Sequence, residues 1–231
     1  MTYIYQGDQV ILPTGSDPAI ERVHGHLRYH IGLDLGQSDP TAIVIVEDKQ
    51  LPEWTSPVQQ RLGDRQRCVV YADRVTDTRY PDIARHAASL TQRSPIADRW
   101  TLTVDATGVG RAFCDVLDEW QLKHTRVQMT GGMNASRRGR FWNVSKNILI
   151  TDLASAIETR HLTIAGDLPL RTEFIRELES FQIKFTAAGN QVLDAGGAGH
   201  HADMAVACAL AWFRSEQASQ AIGVGQLVGW Y

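Results

Sequence analysis

Residues 29–47 read YHIGLDLGQSDPTAIVIVE. Residues 29–35 and 41–47 are rich in aliphatic and β-branched side chains, which predicts two strands. Between them lies a short turn that contains Gly, Gln, Ser, Asp and Pro, a composition that favours chain reversal. The stretch therefore predicts a β-hairpin.

Outward from this hairpin, strand and helix patterns follow one another along the chain. Strands that are separated by helices pack in parallel, whereas the opening hairpin adds antiparallel neighbours. The sequence thus predicts an α/β fold with a mixed central β-sheet flanked by helices on both faces. The further predicted strands are residues 68–75, 100–105, 124–128, 181–187 and 190–194, and the predicted helices are residues 79–93, 108–120, 143–160, 168–179 and 201–214.

The composition indicates a folded domain. The 231 residues are 43% hydrophobic and 21% charged, which is enough apolar surface for a full core and argues against disorder. The longest apolar run, residues 204–213, is far shorter than the roughly 20 residues of a membrane-spanning helix. The N-terminus lacks a secretory signal pattern, and three widely spaced cysteines indicate a reducing compartment. We therefore expect a cytoplasmic protein with no membrane partner.

We expect one domain with two extensions. Residues 1–27 mix Gly, Pro, Asp and His around one short apolar run, which predicts a loosely packed N-terminal arm with one strand. Residues 28–214 carry the strand and helix patterns of the predicted domain. Residues 215–231 are mostly small and polar, which predicts a C-terminal tail. Within the domain, residues 48–67 are polar, contain two prolines and predict a surface insertion.

Three aspartates have matching places in this pattern. Asp34 ends the first strand of the hairpin, Asp105 ends the strand WTLTVD, and Asp203 lies at the start of the last predicted helix. Carboxylates at the carboxyl ends of strands point into the crevice where open α/β sheets bind ligands. Clustered carboxylates repel one another unless a divalent cation such as Mg²⁺ binds between them. The alternative is that each aspartate only caps a helix or a turn.

Four segments together resemble the nuclease domain of phage large terminases, which belongs to the RNase H-like (retroviral integrase-like) superfamily. The resemblance covers residues 28–214 and implies an RNase H-like fold. It also implies a metal-dependent DNA endonuclease that cuts concatemeric viral DNA during genome packaging. The segments are IGLDLGQSDPTAIVIV (31–46), TVDATGVGRAFCDVL (103–117), FWNVSKNILITDLASAIETRHLTI (141–164) and KFTAAGNQVLDAGGAGHHADMAVACALAWF (184–213).

The resemblance also implies a set of catalytic and metal-binding residues. In that family, acids on the first strand, a middle strand and the last helix bind two ions, and these positions are Asp34, Asp105 and Asp203 here. The implied cofactors are Mg²⁺ or Mn²⁺. The last motif of the family often has two acids where this chain reads HHAD, so His200 is the candidate for an additional ligand. Asp39 matches a further acid of the family, and its alternative role is to shape the hairpin turn.

Charge suggests how such a site would work. Two metal ions about 4 Å apart can hold the scissile phosphate, one activating water and the other stabilising the leaving oxygen. In this scheme Asp34 is the shared ligand, while Asp105 and Asp203 each complete one metal site. Lys184, on a late predicted strand, is an auxiliary candidate for neutralising phosphate charge, and a solvated strand lysine is the alternative.

Double-stranded DNA is the implied partner, and the sequence offers one local basic patch for it. The net charge is −3, so the chain as a whole would repel phosphate. Residues 130–140 predict a Gly-rich basic loop that contains Arg137, Arg138 and Arg140, and Lys146 follows closely. Guanidinium groups bind phosphates, and two neighbouring aromatic side chains can stack on bases. A solvated loop that binds no DNA is the alternative.

A complete large terminase also has an ATPase motor, whose Gly-rich loop ends in Lys and Ser or Thr. This sequence contains no such loop. We therefore expect an ATPase motor, a small terminase subunit and a portal to be partners in trans. Two other interpretations stay open. One is a Holliday-junction resolvase-like endonuclease with a similar acidic cluster on a dimer, and the other is a non-catalytic DNA-packaging module that keeps only the fold.

Overall fold

Strands and helices alternate along the chain in a computed structural model that describes residues 2–13, 20–36, 40–76, 78–131, 134–185, 191–195 and 202–219, with the backbone alone at 182–185, 191–195 and 218–219. The strands are β1 (Ile4–Gln6), β2 (Gln9–Ile11), β3 (Gly25–Asp34), β4 (Thr41–Gln50), β5 (Pro52–Ser56), β6 (Gln59–Leu62), β7 (Gln66–Val75), β8 (Trp100–Asp105), β9 (Thr125–Thr130), β10 (Ala135–Arg138), β11 (Phe141–Ser145), β12 (Thr163–Ile164), β13 (Phe181–Phe185) and β14 (Gln191–Ala195). The helices are α1 (Tyr80–Thr91), α2 (Gly110–Glu119), α3 (Lys146–Glu158), α4 (Arg171–Ser180) and α5 (Asp203–Ser219).

The main sheet has the strand order β10-β11-β9-β8-β3-β4-β7-β12, and β2 joins β3 and β1 beside this path. The strands β3, β8, β9 and β11 are parallel to their neighbours in this set. By contrast, β4 is antiparallel to both β3 and β7. The mixed central sheet that the sequence predicts is therefore confirmed.

The predicted hairpin of residues 29–47 forms the middle of this sheet. It pairs β3 with β4 from His26 opposite Gln50 to Asp34 opposite Ala42. Both strands are longer than the sequence predicts. The reason is that β2 pairs with the start of β3 and β7 pairs with the end of β4, so backbone groups beyond the apolar segments also find partners.

Two hydrophobic clusters cover the two faces of the sheet. Ile31 and Leu33 of β3 pack in the cluster with α1 and α2, whereas Val44 of β4 packs in the cluster with α3 and α5. Alternate side chains of a strand point to opposite faces, so Gly32 faces α5. A Cβ atom at Gly32 would lie 1.8 Å from the backbone oxygen of Ala207. The backbone of α5 therefore rests directly on β3, and only glycine permits this approach.

Three segments contain more strands than the sequence predicts. The N-terminal arm contributes both β1 and β2, and Val10 of β2 is fully buried. The predicted insertion at 48–67 forms the β5–β6 hairpin and the ends of β4 and β7. The predicted basic loop pairs β10 with β11. These strands are held by pairing with their neighbours, so their own side-chain pattern does not reveal them.

Two predicted helix boundaries are also wrong. The helix predicted at 143–160 begins only at Lys146, because residues 141–145 pair in parallel with β9. The helix predicted at 201–214 begins at Asp203 and continues to Ser219, so it includes the first residues of the predicted tail. None of the helices in the described ranges is both long and apolar enough to cross a membrane.

Candidate active site at the carboxyl ends of the strands

Asp34 and Asp105 emerge side by side from neighbouring parallel strands. The register of β3 and β8 ends with Leu33 opposite Val104, and the two aspartates are the next residues on their strands. Adjacent strands lie about 4.8 Å apart. Leu33 and Val104 pack on the α1 and α2 side, so the two aspartates point to the α5 side.

Helix α5 brings Asp203 to the same place. Ala207 contacts the sheet at Gly32, and Asp203 lies one helical turn before Ala207. Asp34 lies two residues beyond Gly32 on the same face of β3. The close approach at Gly32 thus places the start of α5 over the carboxyl ends of β3 and β8, and the three predicted aspartates come together.

The electrostatics of Asp34 reflect this arrangement. Burial raises the pKa of the Asp34 carboxyl well above its ordinary value, and the negative charges of Asp105 and Asp203 raise it further. The cation of Lys146, at the start of α3, acts in the opposite direction. The site therefore concentrates negative charge where a cation is favourable.

Asp105 is held in place by the loop that follows it. The Thr107 backbone N–H donates a hydrogen bond to Asp105 Oδ1 at 2.8 Å. Burial raises the pKa of Asp105, while this hydrogen bond and the Lys146 cation oppose the rise. Lys146 follows directly on β11, whose last residue lies opposite Thr130 of β9. The predicted DNA-binding lysine therefore lies within electrostatic reach of both strand-end aspartates.

Glu177 and Arg74 are part of this region, and neither is predicted from the sequence. Glu177 on α4 is 5% exposed, and its Oε2 accepts a hydrogen bond from the Ala205 backbone N–H in the first turn of α5 at 3.0 Å. Its other carboxylate oxygen pairs with Arg74 of β7. Burial raises the pKa of Glu177, and the charge of Asp203 adds to that rise. A signal does exist, because Glu177 follows the buried Phe174 by three residues on one helix face.

The aspartates fit a divalent cation by the chemistry of their donor atoms. Carboxylate oxygens are the ligands that Mg²⁺ and Mn²⁺ prefer, and a cation would offset the repulsion at Asp34. Within the described ranges, however, no three His, Cys, Asp or Glu side chains are close enough together to form a ready metal centre. Asp34, Asp105 and Asp203 therefore share an electrostatic environment without forming a closed ligand cage.

Three other predicted site residues lie outside what the structure describes. Asp39 and His200 lie outside the described residues altogether. Lys184 lies in β13 opposite Val192 of β14, and only its backbone is described. The roles predicted for these three side chains stay predictions.

The hairpin of β10 and β11 places Arg137 on the face of the sheet that carries the aspartates. Arg137 lies opposite Trp142, which lies beside Val127, and Val127 lies beside Asp105. Val127 packs in the cluster with α3 and α5, so this whole row faces α5. Three strand spacings of about 4.8 Å separate Arg137 from Asp105, which is about 14 Å. The Arg137 guanidinium carbon stacks 5.3 Å from the centre of the Trp142 ring.

Arg138 and Arg140 have different surroundings. Arg138 lies opposite Phe141, which lies beside Arg126, and Arg126 lies beside Val104. Val104 packs on the α1 and α2 side, so Arg138 belongs to the row of residues that faces away from α5. Arg140 donates a hydrogen bond of 2.6 Å to Asp118 of α2, so its charge is already paired. The structure therefore separates the three predicted DNA-binding arginines, and Arg137 alone among them lies on the face of the aspartates.

Comparison with known proteins finds similarity in structure but not in sequence families. No protein-family model matches the sequence, and no curated protein matches it. The structure is similar to the large terminase nuclease from thermophilic phage G20c, with a TM-score of 0.57 and 20% identity over 92% of this chain and 91% of that chain. The same nuclease with bound magnesium gives a TM-score of 0.56 at 20% identity, over 92% and 90% of the two chains.

A longer large terminase shows the same similarity. The large terminase from a second thermophilic bacteriophage matches with a TM-score of 0.54 and 13% identity, over 92% of this chain and 43% of that chain. At these identities the likeness establishes the fold. The chain has the RNase H-like fold that is found in the nuclease domains of phage large terminases.

Proposed function

We propose that this protein is a divalent-metal-dependent endodeoxyribonuclease that cuts phosphodiester bonds of double-stranded DNA. The observation that carries the proposal is the convergence of Asp34, Asp105 and Asp203 at one end of the sheet, where their charges act on one another. Clustered acids with a strongly raised pKa are typical of functional sites. The magnesium-bound nuclease of phage G20c, which has a similar fold, supports the choice of a divalent cation as the cofactor.

The proposed roles follow from the position of each side chain. Asp34, Asp105 and Asp203 would hold the cations, with Asp34 between the other two. When bound, divalent cations supply neutralisation of the phosphate and activation of a water molecule. Lys146 adds positive charge beside Asp34 and Asp105, which favours the approach of a phosphate.

Arg137 would contact the DNA backbone beside the acidic end of the sheet. Its face and its distance of about 14 Å from Asp105, three strand spacings, put it within reach of a duplex that crosses the site. Its contact with the Trp142 ring restrains the guanidinium. Backbone contacts of this kind carry no sequence information, so we expect cleavage with little sequence preference.

The biological setting that we propose is genome packaging in the host cytoplasm. The longer protein of similar fold from the second thermophilic bacteriophage is a large terminase, and this chain covers less than half of its length. We propose that an ATPase motor, a small terminase subunit and a portal bring viral DNA to the site. Isolated activity should be slow, because a packaging nuclease that cut freely would destroy the genome.

Plasmid cleavage tests the proposal. We expect slow nicking of supercoiled plasmid in millimolar Mn²⁺, and loss of about 100-fold or more in rate for Asp105→Asn and Asp203→Asn. Asp167→Asn is the matched control, because Asp167 is exposed and follows the edge strand β12, which lies three strands away from β3. Normal cutting by both site variants would contradict the assignment. Preferential cutting of four-way junctions over linear duplex would indicate a resolvase instead.

A further inference from the structure

A second feature of the α5 side of the sheet is a cavity of about 400 Å³ at the amino ends of β8 and β9. It lies at the opposite end of these strands from the three aspartates. Arg214 of α5 lines it, together with Trp100 and Thr101 of β8, Lys123, and Thr125 of β9. The proposed cleavage reaction does not use the residues of this cavity.

Arg214 is the unusual member of the lining. Its side chain is partly buried, and its Nε is shielded from solvent without a hydrogen-bond acceptor. Burial lowers the pKa of Arg214, and the positive charges of Arg137 and Arg28 lower it further. In the part of the chain that the structure describes, no carboxylate forms an ion pair with Arg214. A partly buried guanidinium with a shielded, unbonded Nε and no carboxylate partner is unfavourable, which points to an anion as its ligand.

Neighbouring arginines show that the fold can supply such counter-ions. Arg65 donates hydrogen bonds of 2.8 and 2.7 Å to the two oxygens of Asp48. Arg67 pairs with Glu216, which lies two residues after Arg214 on α5. Arg214 has no equivalent partner among the described residues. Its positive charge is therefore left facing the cavity.

The other polar groups of the cavity are suited to an anion. Lys123 is exposed at the rim, and the Thr125 hydroxyl is available to donate a hydrogen bond. His124 is already occupied, because Nδ1 lies 2.8 Å from the Leu122 carbonyl oxygen and Nε2 accepts a hydrogen bond from Arg126. Asp98 is the acidic side chain of the lining. Two cations and a hydroxyl against one carboxylate leave the cavity positive.

We propose that this cavity binds a phosphate group through Arg214, Lys123 and the Thr125 hydroxyl. A guanidinium matches the paired oxygens of a phosphate, and a lysine beside it adds charge. The phosphate is either a free orthophosphate or a backbone phosphate of DNA, and the second source rests on the proposed nuclease function. Thr101 lies four residues before Asp105 on β8, which places the cavity about 13 Å along the strand from the acidic end.

Thermal unfolding in phosphate tests the site without reference to cleavage. We expect sodium phosphate at ten times its Kd to raise the Tm of the wild type by about 3–6 °C over sodium chloride of equal ionic strength. Phosphate also stabilises proteins non-specifically, so the comparison is with Arg214→Gln and Lys123→Gln, which should lose this rise. Arg85→Gln, an exposed arginine of α1 on the other face of the sheet, should keep it.

The Tm of Arg214→Gln in phosphate-free buffer shows whether Arg214 binds a ligand or stabilises the fold. Without phosphate, Arg214→Gln should have an unchanged or higher Tm, because it removes a partly buried charge that has no carboxylate partner among the described residues. A lower Tm with the phosphate response intact would overturn the proposal. An equal phosphate response in the wild type and Arg214→Gln would overturn it as well.

Binding of a short DNA duplex at several salt concentrations distinguishes the two sources of phosphate. If the cavity holds a backbone phosphate, Arg214→Gln should weaken binding and reduce the salt slope by about one, while Arg85→Gln changes neither. An unchanged slope together with a lost phosphate response would support the free anion and overturn the DNA source. Failure of the wild type to cut DNA would contradict the nuclease proposal and leave the phosphate measurement intact.

Discussion

At the scale of single residues, the fold holds the Asp34 carboxylate in an unfavourable environment. Burial and the charges of Asp105 and Asp203 all raise its pKa, and Lys146 relieves this only in part. Such groups are retained where function needs them, at the expense of stability. The metal-free protein should therefore gain stability when this charge is removed.

We expect Asp34→Asn to increase the free energy of unfolding of the metal-free protein by about 0.5–2 kcal/mol, because the amide removes a repelled negative charge. The same variant should have no cleavage activity. Urea denaturation in the presence of a chelator measures the first effect, and Asp167→Asn provides a control within about 0.5 kcal/mol of the wild type. A less stable Asp34→Asn protein would show that the carboxylate is structural.

Asp48 shows the opposite behaviour. Its side chain is fully buried and accepts two hydrogen bonds from Arg65, while His26 and His30 lie 3.2 and 3.3 Å from its oxygens. Burial raises the pKa of Asp48, but the hydrogen bonds from Arg65 and the two histidines outweigh it and bring the pKa far below the ordinary value. This network ties the ends of β3 and β4 to α5, because Arg65 also donates to the Ser215 carbonyl at 3.0 Å.

A pH dependence follows from this depressed pKa. The stabilisation from Asp48 is fully present above the pKa of the unfolded chain, about 3.9, and is lost as the pH falls below that value. Asp48→Asn should destabilise the protein by about 3–5 kcal/mol near neutral pH, because it leaves Arg65 without its partner. Its stability should also fall less than that of the wild type on acidification. Urea denaturation at several pH values measures both effects. An equal fall in the free energy of unfolding of the two proteins on acidification would show that Asp48 does not cause this pH dependence.

At the scale of elements, the position of α5 decides whether the acidic site exists. Gly32 lets the helix approach β3, and Glu177 holds its first turn through the Ala205 backbone N–H. Arg74 of β7 forms an ion pair with Glu177 of α4. Both β7 and α4 therefore help to fix the start of α5, the helix that carries Asp203. Glu177 is thus expected to act as a positioning residue.

Replacement of Glu177 should separate positioning from charge. Glu177→Ala leaves both Arg74 and the Ala205 N–H without their acceptor, so we expect a loss of about 2–4 kcal/mol and a weaker Mn²⁺ affinity. Glu177→Gln keeps an acceptor for the N–H, so it should recover much of the Mn²⁺ affinity. Urea denaturation and calorimetric Mn²⁺ titration measure the two effects. Equal Mn²⁺ affinity in the wild type and the alanine variant would remove Glu177 from the site.

The β10–β11 hairpin allows a prediction that the sequence could not make. Arg137 shares the face of Asp105, while Arg138 lies in the row that faces away and Arg140 is paired with Asp118. Arg137→Gln should therefore weaken duplex binding and reduce its salt slope by about one. Arg138→Gln, the matched control on the same strand, should have the smaller effect. Equal losses for the two variants would show that DNA does not distinguish the faces.

At the scale of the whole molecule, the sequence predicts those strands and helices that have a clear spacing of apolar side chains. The hairpin at residues 29–47, the strand that ends at Asp105 and the helix that starts at Asp203 are evident because apolar side chains repeat at strand or helix spacing. The strand β10 is not evident, because its side chains are all exposed and its pairing with β11 defines it. Edge strands of this kind depend on their neighbours.

The part of the site that the sequence missed depends on contacts between distant residues. Arg74 and Glu177 are separated by 103 positions, so no spacing in the chain signals their ion pair. The same holds for Arg65, which reaches across 150 positions to Ser215. Strand-end aspartates are predictable because topology alone brings them together. The pairing of their supporting residues becomes visible only once the helices are packed on the sheet.

Anomalous scattering from crystals soaked in Mn²⁺ shows whether Asp34, Asp105 and Asp203 form one divalent-cation site. We expect manganese within about 2.0–2.4 Å of Asp34 oxygens and of at least one of the other two carboxylates. Asp34→Asn crystals soaked in the same way should lose this signal. Manganese bound elsewhere, or no manganese at the carboxyl ends of β3 and β8 in millimolar solution, would contradict the proposed site.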